Sequence, residues 1–226
     1  MLTSPIIPAI IPDSADAVAD FLRSLSGIPE LHLDVVDGAF VPFLSWPYTH
    51  GGNPNEVQNI CEAVTLEVDL MVQEPLQAAR DWIAAGADML VFHIETITPE
   101  ALRLFAEETA VTIGVAAHND TPNESLLPYL EVADYVQVMG IAAIGAQGQP
   151  FDERALARIT WLRTQDAALV VSIDGSVNAH TLPTLLQYRL DRYIVGSAIS
   201  RADEPKVSYT TFSKLALQQA AFQRAV

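Results

Sequence analysis

Short apolar runs rich in Val, Ile and Leu alternate along this chain with longer stretches whose apolar residues recur every third or fourth position. The first pattern predicts buried strands and the second amphipathic helices. Residues 6–11 read as a strand that Pro12-Asp13 ends. Ser14 then stands where a helix N-cap is wanted, Val18, Phe21, Leu22 and Leu25 recur at helical spacing, and Gly27 stops the helix. A strand follows at Leu31-His32-Leu33-Asp34-Val35-Val36 and breaks at Asp37-Gly38. The longest irregular stretch, 39–55, holds Phe40, Phe43, Trp46, Tyr48 and His50, an aromatic content that favours a packed lid. Beyond it the pattern predicts helices over 55–63, 75–85, 98–108, 123–131, 152–165, 178–188 and 207–223. Between them lie strands over 64–71, 88–94, 111–117, 134–139, 168–173 and 191–196. Eight strands, each followed by a helix, imply a parallel sheet covered by helices. In a chain of 226 residues they fit a closed (β/α)8 TIM barrel better than an open doubly wound sheet. No linker composition divides the chain, so 1–226 reads as a single domain.

Period-two alternation sends His32 and Asp34 to one face of their strand and Leu31, Leu33 and Val35 to the other. Buried polar groups need partners, and two further strand ends are acidic, at Asp69 and Asp174. Barrel active sites lie at the carboxyl ends of the strands. There the pattern gathers His32 and Asp34, Asp69, His93 and Glu95, His118, and Asp174. One imidazole and three carboxylates converging at a barrel mouth read either as a divalent-metal site or as a hydrogen-bonded polar cluster without metal. Three late turns carry glycine: Gly145 to Gln149 with Gly148, Asp174-Gly175-Ser176, and Val195-Gly196-Ser197. Each alone is an ordinary turn. Together at late strand ends they suggest a phosphate held by backbone N–H groups.

Composition narrows the chemistry. With 28 acidic against 12 basic residues and a net charge of −16, neither nucleic acid nor an anionic membrane is an expected partner. Lysine occurs only at Lys206 and Lys214, so no core strand supplies a Schiff-base lysine, and no Walker pattern is present. The single cysteine, Cys61, excludes an internal disulfide and fits a reducing compartment. Met1-Leu2-Thr3-Ser4-Pro5 has no basic region or cleavage pattern, and no apolar run has the length of a membrane span; a cytoplasmic protein is expected.

Several stretches resemble the ribulose-phosphate 3-epimerase family. His32-Leu33-Asp34-Val35-Val36-Asp37-Gly38-Ala39-Phe40-Val41-Pro42 resembles the family's H-V-D-V-M-D-G-x-F-V-P, and Glu67 to Pro75 its D-V-H-L-M-V-x-x-P. Phe92-His93-Ile94-Glu95 is similar to V-H-x-E, Ile173 to Val177 to V-D-G-G-V, Val195 to Ile199 to A-G-S-A-V, and Gly145 to Phe151 to G-F-G-G-Q-S-F. The resemblance implies a TIM-barrel isomerase of carbohydrate (pentose phosphate) metabolism that inverts C3 of a ketose phosphate, with a sugar phosphate and a further copy of the chain (a homo-oligomer) as partners. It implies one divalent metal ion (Mn, Mg, Zn or Fe), here on His32, Asp34, Asp69 and Asp174. Asp34 and Asp174 would be the acid–base pair. Met71 and Met139 would wall the reaction centre, and Gly145, Gly148, Gly175, Ser176, Gly196 and Ser197 would bind substrate.

The chain also departs from the family. Ala9 replaces a serine, Val36 a methionine, and Ala142-Ala143-Ile144 the N-P-G that opens the family's phosphate loop, a loop one residue longer here. Asp69 replaces the second metal histidine, which makes a more anionic set better suited to Mn²⁺ or Mg²⁺ than to Zn²⁺. If no metal binds, Asp69 would serve as the hydrogen-bond partner that holds His32 charged. A non-catalytic relative that binds a phosphorylated metabolite or a partner protein is the alternative to an epimerase. A barrel decarboxylase of the D-x-K-x-x-D kind fits poorly, since Val36 occupies the lysine position.

Overall fold

Eight parallel strands close on themselves in sequence order in the computed structural model, which describes residues 4–49 and 51–225. Met1–Thr3 and His50 lie outside the described residues. The strands are β1 (Ile6–Ile10), β2 (Glu30–Val36), β3 (Thr65–Met71), β4 (Met89–His93), β5 (Thr112–Ala117), β6 (Tyr135–Met139), β7 (Val170–Asp174) and β8 (Arg192–Val195). Pairing of β1 with β8, Ile7 against Ile194, shuts the (β/α)8 TIM barrel. The helices are α1 (Ala15–Leu25), α2 (Gln58–Cys61), α3 (Pro75–Ala84), α4 (Pro99–Glu108), α5 (Arg154–Gln165), α6 (Leu182–Leu185), α7 (Ser197–Ser200) and α8 (Pro205–Ala225). Ser14 caps α1 as its sequence position suggests, its hydroxyl accepting from the Ala17 N–H at 3.1 Å.

Three expected helices are shorter or of another kind. The segment expected over 123–131 is a 3-10 stretch, Asn123–Tyr129. Pro128 inside it has no N–H for an α-helical ladder and disfavours helical geometry in the residue before it. The 55–63 segment divides into a 3-10 turn, Pro54–Val57, and the short α2. The 178–188 segment becomes α6 and a 3-10 turn, Leu186–Tyr188. Its start is consumed by the Asn178 side chain, whose oxygen accepts from the N–H groups of His180 and Thr181.

Outward-facing Leu31, Leu33 and Val35 of β2 join Val18, Phe21, Leu25 and Trp82 in the main core between barrel and helices. The barrel interior is different, because its lower part is polar, with Glu67 and His32 buried and Arg192 and Glu30 partly exposed at its edge. Glu67 is wholly buried there. Its carboxylate accepts from Arg192 at 2.7 and 2.9 Å and from the Tyr135 hydroxyl, and it lies 2.5 Å from His32 Nδ1. Arg192 also reaches Glu30 and stacks over the Tyr135 ring at 5.2 Å. Burial alone would raise the Glu67 pKa, but the charges of His32 and Arg192 outweigh it and hold the carboxyl well below the usual range. For His32, burial opposes the cation, yet Glu67 and Asp34 carry its pKa well above the ordinary value.

Replacing Glu67 by Gln removes the carboxylate that Arg192 and His32 share, leaving Arg192 only Glu30 and His32 only Asp34. Removing one partner of a buried pair costs about 3–5 kcal/mol, so urea unfolding at neutral pH should show a loss of that order. Because the folded pKa of Glu67 is depressed, its stabilisation is complete above the unfolded carboxylate value of about 4.3 and fades as pH falls toward the folded value. Glu67→Gln should remove this part of the acid dependence. An unchanged unfolding midpoint at neutral pH would exclude the network as a stabilising element.

Candidate active site at the carboxyl end of the barrel

Register and parity raise a set of polar side chains from the strands to the mouth. Asp34 pairs in register with Asp69 across β2 and β3, and Met139 with Asp174 across β6 and β7. His32, Asp34, Asp69, His93, Gln137 and Asp174 are all buried. His32 Nε2 lies 3.2 Å from Asp34 Oδ1, while its other nitrogen is fixed on Glu67. Asp69 is occupied on both oxygens: Oδ1 lies 3.0 Å from His93 Nε2, and Oδ2 accepts from Gln137 Nε2 at 2.8 Å. The hydrogen bond expected between Asp69 and His32 is therefore not the one formed. Glu67 holds His32, and Asp69 holds His93. Burial disfavours a charged His93, but the Asp69 carboxylate beside it raises its pKa.

Asp34 and Asp174 line one cavity of about 190 Å³ together with Met71, Ile11, Ile141 and three turns. These turns contribute Gly145 to Gln149, Gly175 to Asn178, and Gly196-Ser197, so Gly145, Gly148, Gly175, Ser176, Gly196 and Ser197 all reach the same wall. Met139 does not line it; it is buried behind, in an apolar cluster with Val36, Val41 and Met71. Burial raises the pKa of Asp34, with His32 opposing and Asp69 and Glu67 adding. Burial and the charge of Asp34 raise Asp174 further, well above the usual carboxylate range. The end of β7 is locked by close approach: the Gly140 N–H donates to the Asp174 carbonyl at 2.5 Å, and a Cβ at Gly140 would collide with the Gly175 carbonyl oxygen.

Ligand atoms of His32, Asp34 and Asp69 all lie within 4.8 Å of one another. One imidazole whose second nitrogen is fixed by a carboxylate, plus two carboxylates themselves hydrogen-bonded, suits a divalent cation. Asp174, the fourth residue of the expected set, is outside this tight group and approaches the same cavity from β7. Glu95 and His118 stand apart from it. Glu95 accepts from the His118 N–H and the Thr121 hydroxyl, and the His118 ring rests edge-on to Phe40 at 5.1 Å. The loop over 39–55 is stitched down at its root. Asp37 accepts from the N–H groups of Ala39, Phe40 and Gln73, Ser45 bonds Val36, and Trp46 packs edge-on to Trp82.

The sequence pattern does not single out Glu67, Tyr135, Gln137 and Arg192, although a local sign of them exists. Glu67 shares strand parity with Asp69, Gln137 and Tyr135 with Met139, and Arg192 with Ile194. Their mutual contacts have no such sign.

Comparison with known proteins gives a consistent result. The model of the ribulose-phosphate 3 epimerase family matches residues 5–200. The ribulose-phosphate 3-epimerase of Schizosaccharomyces pombe is 30% identical over 210 residues, covering 91% of each chain. That of Mycobacterium tuberculosis (strain H37Rv) is 28% identical over 218 residues, covering 93% of this chain and 92% of the relative. Among solved structures, KGPDC from Streptococcus mutans in complex with D-R5P superimposes with a TM-score of 0.74 at 13% identity, covering 96% and 99% of the two chains. The 3-hexulose-6-phosphate synthase of Salmonella typhimurium gives 0.68 at 18% identity, covering 94% and 99%. At such identities these structures share the fold.

Removing Asp69 should strand His93, whose remaining ring nitrogen has no hydrogen-bond partner among the described residues. Asp69→Ala is expected to lower stability by about 3–5 kcal/mol. Adding His93→Phe should recover part of that loss, giving a coupling energy in a double-mutant cycle. Strict additivity of the two single losses would show that the pair does not act as a unit.

Proposed function

The chain belongs to the ribulose-phosphate 3-epimerase family, a family of isomerases, and from that premise we propose that it inverts C3 of a ketose phosphate by two-carboxylate acid–base catalysis. Ribulose 5-phosphate or a related sugar phosphate is the substrate class. The observation that carries this reading is that Asp34 and Asp174 line one cavity with three glycine-bearing turns. Backbone N–H groups at Gly175-Ser176 and Gly196-Ser197 suit the phosphate, and the two carboxylates suit the carbon at the other end.

In this mechanism one aspartate removes the C3 proton, giving a cis-enediolate, and the other returns a proton to the opposite face. The pair needs opposite protonation states at any moment. Burial and the charge of Asp34 together raise the pKa of Asp174, so Asp174 is the carboxyl that gives up its proton less readily. His32 beside Asp34 opposes the rise in its pKa, so without a bound ion Asp34 is the readier base and Asp174 the readier proton donor. Met71 gives the cavity an apolar wall, and Met139 supports it from behind. His32, Asp34 and Asp69 would hold a divalent metal, with Asp174 as the further candidate ligand. This oxygen-rich set suits Mn²⁺ or Mg²⁺. When bound, such an ion supplies Lewis-acid stabilisation of negative charge on the substrate oxygens.

The test is solvent-deuterium incorporation at C3 and epimer formation, measured by NMR on a panel of ketose 5- and 6-phosphates after loading with Mn²⁺, Mg²⁺, Zn²⁺ or Fe²⁺. Asp34→Asn and Asp174→Asn should each lower epimerisation by roughly 10²–10⁴-fold. The variant that keeps the base for one epimer should still exchange that epimer's proton without inverting it. No exchange by the wild-type protein with any metal and substrate would overturn the catalytic reading.

A further inference from the structure

We propose that the side-chain amide of Gln147 is a direct ligand for the substrate's phosphate, an assignment that rests on the sugar-phosphate reading and adds a residue to it. Gln147 sits in the turn between β6 and α5, bracketed by Gly145 and Gly148, which both adopt positive φ near +80°. It lines the cavity, half-buried, on the wall formed by the glycine turns. Its Nε2 lies 3.2 Å from the point where a Cβ on Gly196 would be, with Cδ farther away at 3.9 Å. The amide therefore leads with its nitrogen onto the backbone of the Gly196-Ser197 turn. A side chain at 196 would crowd this approach, so the amide would have to shift by a few tenths of an ångström.

The surroundings call for a donor at this point. A phosphate monoester carries close to two negative charges, and the cavity already contains two carboxylates, Asp34 and Asp174. No lysine or arginine lines it. Asn178 is committed to the turn, its amide nitrogen donating to the Ser176 carbonyl and its oxygen accepting from His180 and Thr181. No described residue bonds the Gln147 amide, so both of its N–H groups are available. A hydrogen bond to a charged acceptor is stronger than one between neutral groups, and an uncharged amide adds it without the desolvation of a buried cation. The family resemblance aligns Gln147 with the first glycine of G-G-Q, so this side chain is an addition by the present sequence to a backbone-only corner.

Inorganic phosphate is the probe, titrated calorimetrically into the full-length protein and two variants. Gln147→Leu keeps the reach and removes the donors; Gln147→Glu keeps the shape and adds negative charge. The dissociation constant for phosphate is expected to rise about tenfold for the leucine variant and further for the glutamate one. The KM for a ketose phosphate should rise in parallel, with a smaller effect on kcat, while the melting temperatures without phosphate stay close to wild type. Phosphate affinity and KM within about twofold of wild type in both variants would overturn the proposal, as would no measurable phosphate binding by the wild-type protein. Gln147-dependent phosphate binding without C3 exchange would uphold this ligand and retire the epimerase reading instead.

Discussion

One buried carboxylate governs the inside of this barrel. Glu67 sits where water does not reach, and it is tolerable there only because Arg192, the Tyr135 hydroxyl and His32 surround it. The three partners come from β8, β6 and β2, so the carboxylate can be satisfied only when the barrel is closed in the observed register. The arrangement also aims His32. With Nδ1 committed to Glu67, the other nitrogen is directed at Asp34 and the mouth.

Above that layer the mouth carries more acid than its own cations balance. Asp69 is hydrogen-bonded sideways to His93 and Gln137 rather than to His32, so it is both a member of the tight His32–Asp34–Asp69 group and a part of the frame. Asp34 and Asp174 are left facing the cavity, both with pKa raised by burial and Asp174 further by the charge of Asp34. The glycine turns at the far wall provide the contrasting environment: backbone N–H groups, small residues and the amide of Gln147, with no basic side chain.

The long loop after β2 illustrates how a segment can be ordered without regular structure. Its aromatic residues divide into Trp46, buried against Trp82, Phe40, which covers His93 and His118, and the more exposed Phe43 and Tyr48. Asp37 turns the end of β2 into the loop by accepting three backbone N–H groups. The same Asp-Gly that ends the strand in the sequence thus also anchors the root of the loop.

Much of the architecture is legible in the chain, because strand parity and helix period are local properties. His32 and Asp34 have to share one face, as do Glu67, Asp69 and Met71, whatever surrounds them. Strands alternating with helices leave few alternatives to the barrel, and the glycine turns announce their own positions. Periodicity overstates the helices over 123–131 and 178–188, since Pro128 and Asn178 act through individual backbone hydrogen bonds that it does not register. What only the tertiary structure decided was pairing. Glu67 and Arg192 are 125 residues apart, Asp69 and Gln137 are 68 apart, and the Gln147 amide meets Gly196 across two further strands. Such contacts depend on barrel closure and on the register between strands, which no local pattern encodes. The sequence therefore determined which residues turn inward, and closure of the sheet determined which of them hold one another and which are left free for chemistry.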